Sequence, residues 1–346
     1  MISRVNIRQF IEDRETHLSP YASRSSQSKG RQKDEDLCLT RTVFQRDRDR
    51  IIHSKSFRRL KHKTQVFLAP SGDHYVTRLT HTLEVSQLAR TLARALNLNE
   101  DLTEAISLGH DLGHTPFGHV GEDVLNELYH KGFRHYEQSL RVVDLLENDG
   151  KGLNLTLEVR DGILNHSKSG EDIFGHNWTN TSTLEGDICK IADAIAYINH
   201  DIGDAVRAGI INENKLPESA TIILGHSHRE RVNNMICDII ENSWEICSFA
   251  GTAHKPTIRM GQRVTDAANS LRQFLFSNVY DTVSIQPEAM RAREVVSRLY
   301  SYFIRHNNEL PTEYLLHGVE LEESVVDYIA GMTDRYALQL AEKLDL

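Results

Sequence analysis

The sequence predicts an all-α fold. Apolar residues recur at three-, four- and seven-residue spacings through most of the chain, as they do in helices that bury one face. Prolines such as Pro116 and Pro217 fall between these segments, where a residue that cannot donate a backbone hydrogen bond is tolerated. No sustained period-two series indicates strands. A chain of 346 residues has room for one large domain or two small ones.

The elements fall into three parts along the chain. Residues 1–36 form a partly mobile N-terminal arm, whose polar stretch at 21–36 is either mobile or ordered by a ligand. A catalytic core is expected over 37–210, and a helical part packed on this core over 211–346. After a helical pattern that starts at Leu37, the predicted helices cover about 78–96, 101–112, 120–131, 136–148, 154–166, 185–208, 219–248, 261–279, 288–306 and 322–344. A surface excursion is expected at 167–184.

Composition excludes several functional classes. Forty basic against 49 acidic residues give a net charge of −9, which argues against nucleic-acid binding over the whole surface but leaves room for a local basic site. No apolar run approaches the roughly 18 residues of a membrane span, so no membrane partner is expected. The charged N-terminus has no apolar leader, which predicts a cytoplasmic protein. The four cysteines are isolated and are expected to be buried hydrophobic residues.

Histidines are crowded in one part of the chain. Nine of the eighteen lie between residues 53 and 135, and this crowding indicates a site. His81 lies on one predicted helix, His110 and Asp111 end the next, and Asp193 lies on a later one. Two imidazoles and two carboxylates suit a divalent ion that keeps open positions for water or substrate.

The segment after this His-Asp pair strengthens the prediction. An isolated His-Asp pair is a weak signal, as a second one at 200–201 shows. Here, however, the helix is broken by three residues: Gly113, Pro116 and Gly118. They place His114 and His119 on one loop, with Glu122 one turn into the following helix. A histidine at a helix N-terminus is disfavoured as a cation unless a carboxylate pairs with it, and Glu122 can supply that pairing.

Longer strings are spread from residue 21 to residue 337: YASRSSQSKGR, IIHSKSFRRLKHKTQVF, GDHYVTRLTHTLEVSQLAR, LGHDLGHTPFGHVGE, FRHYEQSLRVV, IADAIAYINHDIGDA and DYIAGMTDRYA. These strings resemble the HD-domain superfamily and are similar to bacterial deoxynucleoside triphosphate triphosphohydrolases, the dGTPase-like group. The resemblance implies an HD-domain helical fold with additional C-terminal helices and a homo-oligomer, a hexamer in many family members. It also implies a divalent metal ion, manganese or magnesium ahead of iron, nickel or zinc.

The resemblance also implies roles for individual residues. The metal-ligand positions are occupied by His81, His110, Asp111 and Asp193. The catalytic pair is matched by His119 and Glu122. Positions that hold the triphosphate, sugar or base are matched by Lys61, Gln65, Arg78, His114, His135, Glu137, Tyr197 and Asp201. His119 either protonates the departing 5′ oxygen or activates water, and Arg335 lies near a phosphate or at a subunit contact; both choices stay open.

The activity that the resemblance implies is hydrolysis of a deoxynucleoside triphosphate to a deoxynucleoside and tripolyphosphate. The substrate carries about four negative charges, and basic residues between 41 and 63 would face it unless they form a solvated helix face. One alternative is another HD-domain nucleotide phosphohydrolase, against which the basic run argues. The other is a nucleotide-sensing or single-stranded nucleic-acid-binding protein, against which the 7% aromatic content argues. Whether a nucleotide effector binds elsewhere stays open.

Overall fold

A computed structural model of the chain describes residues 6–66, 76–167, 181–247, 256–284 and 286–346. Within these ranges the chain is helical, and β pairing is limited to two isolated bridges, Arg31 with Thr156 and Thr64 with Thr77. The all-α prediction is therefore confirmed. The surface excursion expected at 167–184 lies largely outside the described residues.

The helices follow one another in this order. Three precede the central bundle: α1 (Ile7–Glu15), α2 (Val43–His53) and α3 (Lys55–Arg59). The central ones are α4 (Arg78–Ala95), α5 (Glu100–Gly109), α6 (His119–Leu128), α7 (His135–Arg141), α8 (Glu147–Gly150), α9 (Leu157–Asn165) and α10 (Leu184–Arg207). The later ones are α11 (Glu218–Leu224), α12 (His228–Asn242), α13 (Gln262–Leu275), α14 (Asp281–Ser284), α15 (Pro287–Arg305), α16 (Leu321–Ala330) and α17 (Asp334–Lys343). One π turn (Phe276–Tyr280) joins α13 to α14, and another (Val142–Leu146) joins α7 to α8.

Two predicted helices are each split in the structure, so those predictions were wrong. The helix expected at 219–248 ends before Gly225, which takes φ +98°, and restarts after Ser227 in a capping box. The helix expected at 322–344 restarts after Thr333, whose hydroxyl accepts from the backbone N–H of the third residue on. In both places the apolar period continues across the break, so periodicity alone did not reveal it.

The N-terminal region also differs from the prediction. The helical pattern expected from Leu37 begins only at Val43, because Thr42 and Gln45 form a capping box there, and Leu37 is exposed. A helix that the sequence analysis did not predict, α1, lies within the N-terminal arm, before its polar stretch, and is capped by Asn6.

Two apolar clusters form the interior. The larger runs from Phe44 to Val283 and is built mainly by α2, α4, α5, α9, α10, α11, α12 and α13. The smaller joins α6 to α15, α16 and α17 through residues such as Val124, Leu299 and Val325. The polar end of α5 and the loop after it lie where the two clusters meet. Among the described residues no helix is both long enough and apolar enough to cross a membrane.

The polar stretch at 21–36 is hydrogen-bonded to buried carboxylates. Ser25 donates to Glu15 through its N–H and its hydroxyl, each at 2.6 Å. Ser23 donates to Glu185 in the same two ways, at 2.9 and 3.0 Å. Burial raises the pKa of both carboxyl groups, and the arm's donors act against that rise. The arm therefore supplies the donors that these buried acids lost when water was removed.

We expect Ser25→Ala to lower the free energy of unfolding by about 1–3 kcal/mol, because it leaves the buried Glu15 with one donor fewer. The measurement is equilibrium unfolding in denaturant. The matched control is Ser26→Ala in the same turn, since Ser26 is exposed and its replacement should change stability by less than about 0.5 kcal/mol. Equal losses in the two variants would show that the contact contributes nothing.

Candidate metal centre and neighbouring histidines

Three helices bring the predicted metal ligands together. His81 ends the first turn of α4, His110 caps the C-terminal end of α5 with Asp111 next to it, and Asp193 lies in the middle of α10. His81 Nε2 is 3.0 Å from Asp193 Oδ1 and 3.9 Å from Asp111 Oδ2. His110 Nε2 is 3.5 Å from Asp111 Oδ2 and 3.9 Å from Asp193 Oδ1. The four side chains thus converge on one small volume.

The pKa shifts of His81, Asp111 and Asp193 favour the forms that bind a metal ion. Burial lowers the pKa of His81, so this ring is neutral at neutral pH. Burial raises the pKa of Asp193, but hydrogen bonding to His81 and the charge of His110 outweigh this effect and hold the pKa at about 2. Burial also raises the pKa of Asp111, but His110 and Arg78 outweigh this effect and hold the pKa of Asp111 well below its usual range. Carboxylates and neutral imidazoles are the ligand forms.

Among the described residues, the buried Nε2 atoms of His110 and His166 are without a hydrogen-bond partner. Nδ1 of His110 lies 2.6 Å from Ser107 O, and Nδ1 of His166 lies 2.7 Å from Ile163 O. Because a carbonyl oxygen only accepts, Nδ1 is the protonated nitrogen in both rings and Nε2 carries the lone pair. Neither Nε2 is hydrogen-bonded within the described part of the chain. Buried nitrogen acceptors without donors fit a divalent cation, so the residues present suit a metal ion.

A row of polar side chains lies behind His81. His81 Nδ1 is 2.8 Å from His200 Nε2, and His200 Nδ1 is 2.8 Å from Asp201 Oδ1. Tyr280, at the end of the π turn, donates to Asp201 Oδ2 at 2.5 Å. His200 Nδ1 thus faces the Asp201 carboxylate; burial lowers the pKa of His200, but the charge of Asp201 outweighs this effect and raises it. With Nδ1 of His81 against His200, Nε2 of His81 is the nitrogen that faces Asp193.

Glu122 is the centre of a second group of histidines. Its Oε1 accepts from His135 N at 3.0 Å and lies 2.9 Å from His135 Nδ1, while its Oε2 lies 3.4 Å from His119 Nδ1 and 4.0 Å from His114 Nε2. Burial raises the pKa of Glu122, but His135 above all, then His119 and His114, bring it well below its usual range. The side chain of His119 is 66% exposed, whereas His114 and His135 are buried. His119 is therefore the ring of this group that solvent reaches.

Two further predicted substrate residues lie beside the metal centre. Arg78 is buried and donates to Asp111 Oδ2 at 2.7 Å, and also to the carbonyl groups of Thr64 and Gln65. Gln65 is buried as well, and its side-chain oxygen is without a hydrogen bond within the described residues. In this structure Arg78 thus contacts a predicted metal ligand, and Gln65 has an unused acceptor.

The other predicted residues are less enclosed. Lys61 and Glu137 are exposed, on the turn after α3 and on α7. Tyr197 is partly buried on the face of α10 that also carries Asp193 and Asp201, and burial raises the pKa of its phenol. Arg335 is exposed at the start of α17.

The basic run forms ion pairs along much of its length. The paired arginines and their acids are Arg41 with Asp49, Arg46 with Glu35, Arg48 with Glu104, and Arg50 with Glu35. Lys63 is buried, and its ammonium donates to the carbonyl groups of His114 and Ala330. Burial, with Arg59 and Arg78, lowers the pKa of Lys63 to about 7. These side chains stabilise the fold through their contacts.

The loop between α5 and α6 is held by α17. Phe117 takes φ +63° and Gly118 takes φ +59°, a region that a non-glycine residue enters only where its surroundings stabilise it. Asp334 accepts from the N–H of Phe117 through Oδ1 and from the N–H of Thr64 through Oδ2, each at 2.9 Å. A Cβ added to Gly118 would come within 2.8 Å of Gln65 O. The loop therefore passes too close to the backbone at Gln65 for any residue but glycine at position 118.

Sequence reasoning missed three residues of this site. His200 was read as an ordinary repeat of the dipeptide, although it follows Asp193 by seven residues and so shares its helix face. His166 ends a predicted helix and carries no local signal of its own. Asp334 lies next to Arg335, the residue singled out in DYIAGMTDRYA, and is a first-turn acid of α17.

Comparison with known proteins gives the following matches. The HD domain family matches residues 78–198, and a phosphohydrolase-associated domain matches residues 258–343. A deoxyguanosinetriphosphate triphosphohydrolase-like protein from Caldanaerobacter subterraneus subsp. tengcongensis is 53% identical, over 96% of this chain and 94% of the relative. Proteins of the same name from Desulfatibacillum aliphaticivorans and Clostridium tetani are 48% and 44% identical, each over 98% of this chain and over 98% and 96% of their own length.

We expect Asp334→Ala to loosen the loop around Phe117 while the fold persists. Each N–H to carboxylate bond contributes about 1.5–3 kcal/mol, so the loop amides should exchange about 10- to 100-fold faster. Hydrogen–deuterium exchange with mass spectrometry measures this on peptides that span α5 to α6. Arg335→Ala, the exposed neighbour, is the control and should exchange as the parent does. Unchanged exchange in Asp334→Ala would contradict the assignment.

Proposed function

The chain belongs to the family of deoxyguanosinetriphosphate triphosphohydrolase-like proteins with an HD domain, and on that premise we propose that it hydrolyses a deoxynucleoside triphosphate to the deoxynucleoside and tripolyphosphate. The relatives' names support the reaction class, a nucleotide phosphohydrolase. The observation that carries the proposal is the meeting of two groups: the cluster of His81, His110, Asp111 and Asp193, and the loop that carries His119 against Glu122.

The four clustered side chains would hold a divalent ion, manganese or magnesium. When bound there, the ion supplies positive charge at the α-phosphate and makes the attacking water more acidic. Arg78 keeps Asp111 oriented through its 2.7 Å contact, and His200 does the same for His81 at 2.8 Å. The metal ligands are thus held in place before any substrate arrives, which suits phosphoryl chemistry because it depends on positioning and charge.

In this proposal His119 gives a proton to the leaving group. Its Nδ1 faces the Glu122 carboxylate at 3.4 Å, so Nε2 is the nitrogen that would donate. As water bonds to the α-phosphorus, the bond from phosphorus to the 5′ oxygen breaks, and that oxygen takes the proton of Nε2. Gln65, with its buried and unpaired side-chain oxygen, would accept a hydrogen bond from the sugar.

The products test the proposal. The purified protein is incubated with each of the four deoxynucleoside triphosphates and manganese or magnesium in oxygen-18 water, and both product halves are separated by chromatography and weighed by mass spectrometry. We expect a deoxynucleoside without label and tripolyphosphate with one labelled oxygen, because water attacks the α-phosphorus. Orthophosphate or pyrophosphate as the first product, or label in the deoxynucleoside, would overturn the proposed reaction.

We expect His119→Ala to lower kcat by about 10²- to 10⁴-fold, the usual contribution of a positioned proton donor. Metal content should stay at the parent level, because the predicted ligands lie elsewhere. Steady-state kinetics and metal analysis of the same preparation measure both. His130→Ala is the control, since His130 is an exposed histidine at the other end of α6 that pairs with Glu322. Full activity of His119→Ala would remove His119 from the reaction.

A further inference from the structure

We infer that His166 is a fifth protein ligand of the metal centre and binds the ion through Nε2. The inference rests on the metal site of the proposed function, but not on its substrate or products. His166 follows the last residue of α9 and is buried where that helix packs against α5 and α10. Its ring meets the ring of His110 edge to face, with centroids 4.9 Å apart.

The chemistry of the ring favours a ligand. Donation from Nδ1 to Ile163 O at 2.7 Å fixes the tautomer and leaves the lone pair on Nε2. This nitrogen is buried and has no donor against it in the part of the chain that the structure describes. A neutral imidazole with a fixed, unused Nε2 is the form in which histidine binds metals.

The distances place this nitrogen among the other ligands. His166 Nε2 is 3.9 Å from Asp111 Oδ1. The ligand atoms of His166, His110 and Asp193 all lie within 4.8 Å of one another, as do those of His81, His110 and Asp111. Ligand atoms about 2.1 Å from one octahedral ion lie about 3 Å apart when adjacent and about 4.2 Å apart when opposite. The two triads share His110, and this shared residue is the basis on which we assign all five side chains to one ion.

A fifth ligand changes what the site selects. Three imidazoles and two carboxylates form a set that favours a transition metal over magnesium, which prefers oxygen ligands. One octahedral position is then left for water or for a phosphate oxygen. The structure thereby narrows the cofactor toward manganese, iron or a similar ion.

The decisive variant is His166→Asn, whose side-chain amide can still donate to Ile163 O but has no atom at the Nε2 position. Manganese binding is measured by chelator competition, and the visible spectrum is recorded with cobalt in place of manganese. We expect an unchanged fold by circular dichroism, a manganese Kd raised at least about tenfold, and a changed cobalt spectrum. A Kd within twofold of the parent together with an identical cobalt spectrum would overturn the inference.

Two controls separate the outcomes. His306→Asn is the matched control, because His306 Nδ1 makes the same kind of contact to Tyr302 O at 3.0 Å on the surface. Asp111→Ala should abolish manganese binding; if it does not, the metal site itself is wrong, whatever His166 does. Should His166→Asn fail to fold, pulsed electron paramagnetic resonance of the copper-loaded parent protein counts the bound imidazoles. Three support the inference, and two overturn it.

Discussion

A carboxylate buried among helices stays ionised only where cations or hydrogen-bond donors replace the water it has lost, and Asp111 places this demand at the centre of the molecule. Arg78 of α4 forms an ion pair with Asp111, and the rings of His81, His110 and His166 lie around the rest of this carboxylate. The packing of α4, α5, α9 and α10 must therefore leave a polar pocket in an otherwise apolar cluster. The buried ring nitrogens in this pocket that have no donor within the described residues could bind a divalent cation.

The same constraint governs how the outer parts of the chain attach. Acidic residues lie at the junctions: the buried Glu185 accepts hydrogen bonds from the N-terminal arm, and the partly buried Asp334 accepts one from the backbone of the loop before α6. Asp327 on α16 accepts from Gln138 and Arg141 of α7, at 2.7 to 3.0 Å. Through these contacts the C-terminal helices hold the segment that carries His114 and His119. In this chain, residues matched by the phosphohydrolase-associated domain thus contact residues matched by the HD domain.

The helices were predictable because each buries a face and so repeats apolar residues with the helical period. The ends of the helices were harder to predict. Gly225 and Gly331 interrupt helices although the apolar pattern continues on both sides, since the next helix packs into the same cluster after a change of direction. The arginines between 41 and 50 were expected to face a triphosphate unless they form a solvated helix face; in the structure Arg41 pairs with the nearby Asp49, and Arg48 pairs with Glu104 of α5. No local pattern reveals a partner that lies fifty residues away.

The sequence by itself determined that the chain is helical, because apolar residues repeat with the helical period, and the resemblance of its HD strings to a family marked which imidazoles and carboxylates would meet. Only the tertiary structure decided which other residues lie around these imidazoles and carboxylates. His166 and Asp334 come from helices far along the chain, and each is brought to the site by packing against the central helices. Whether a buried nitrogen has a donor against it depends on every neighbour in three dimensions, and that information is not carried by any segment alone.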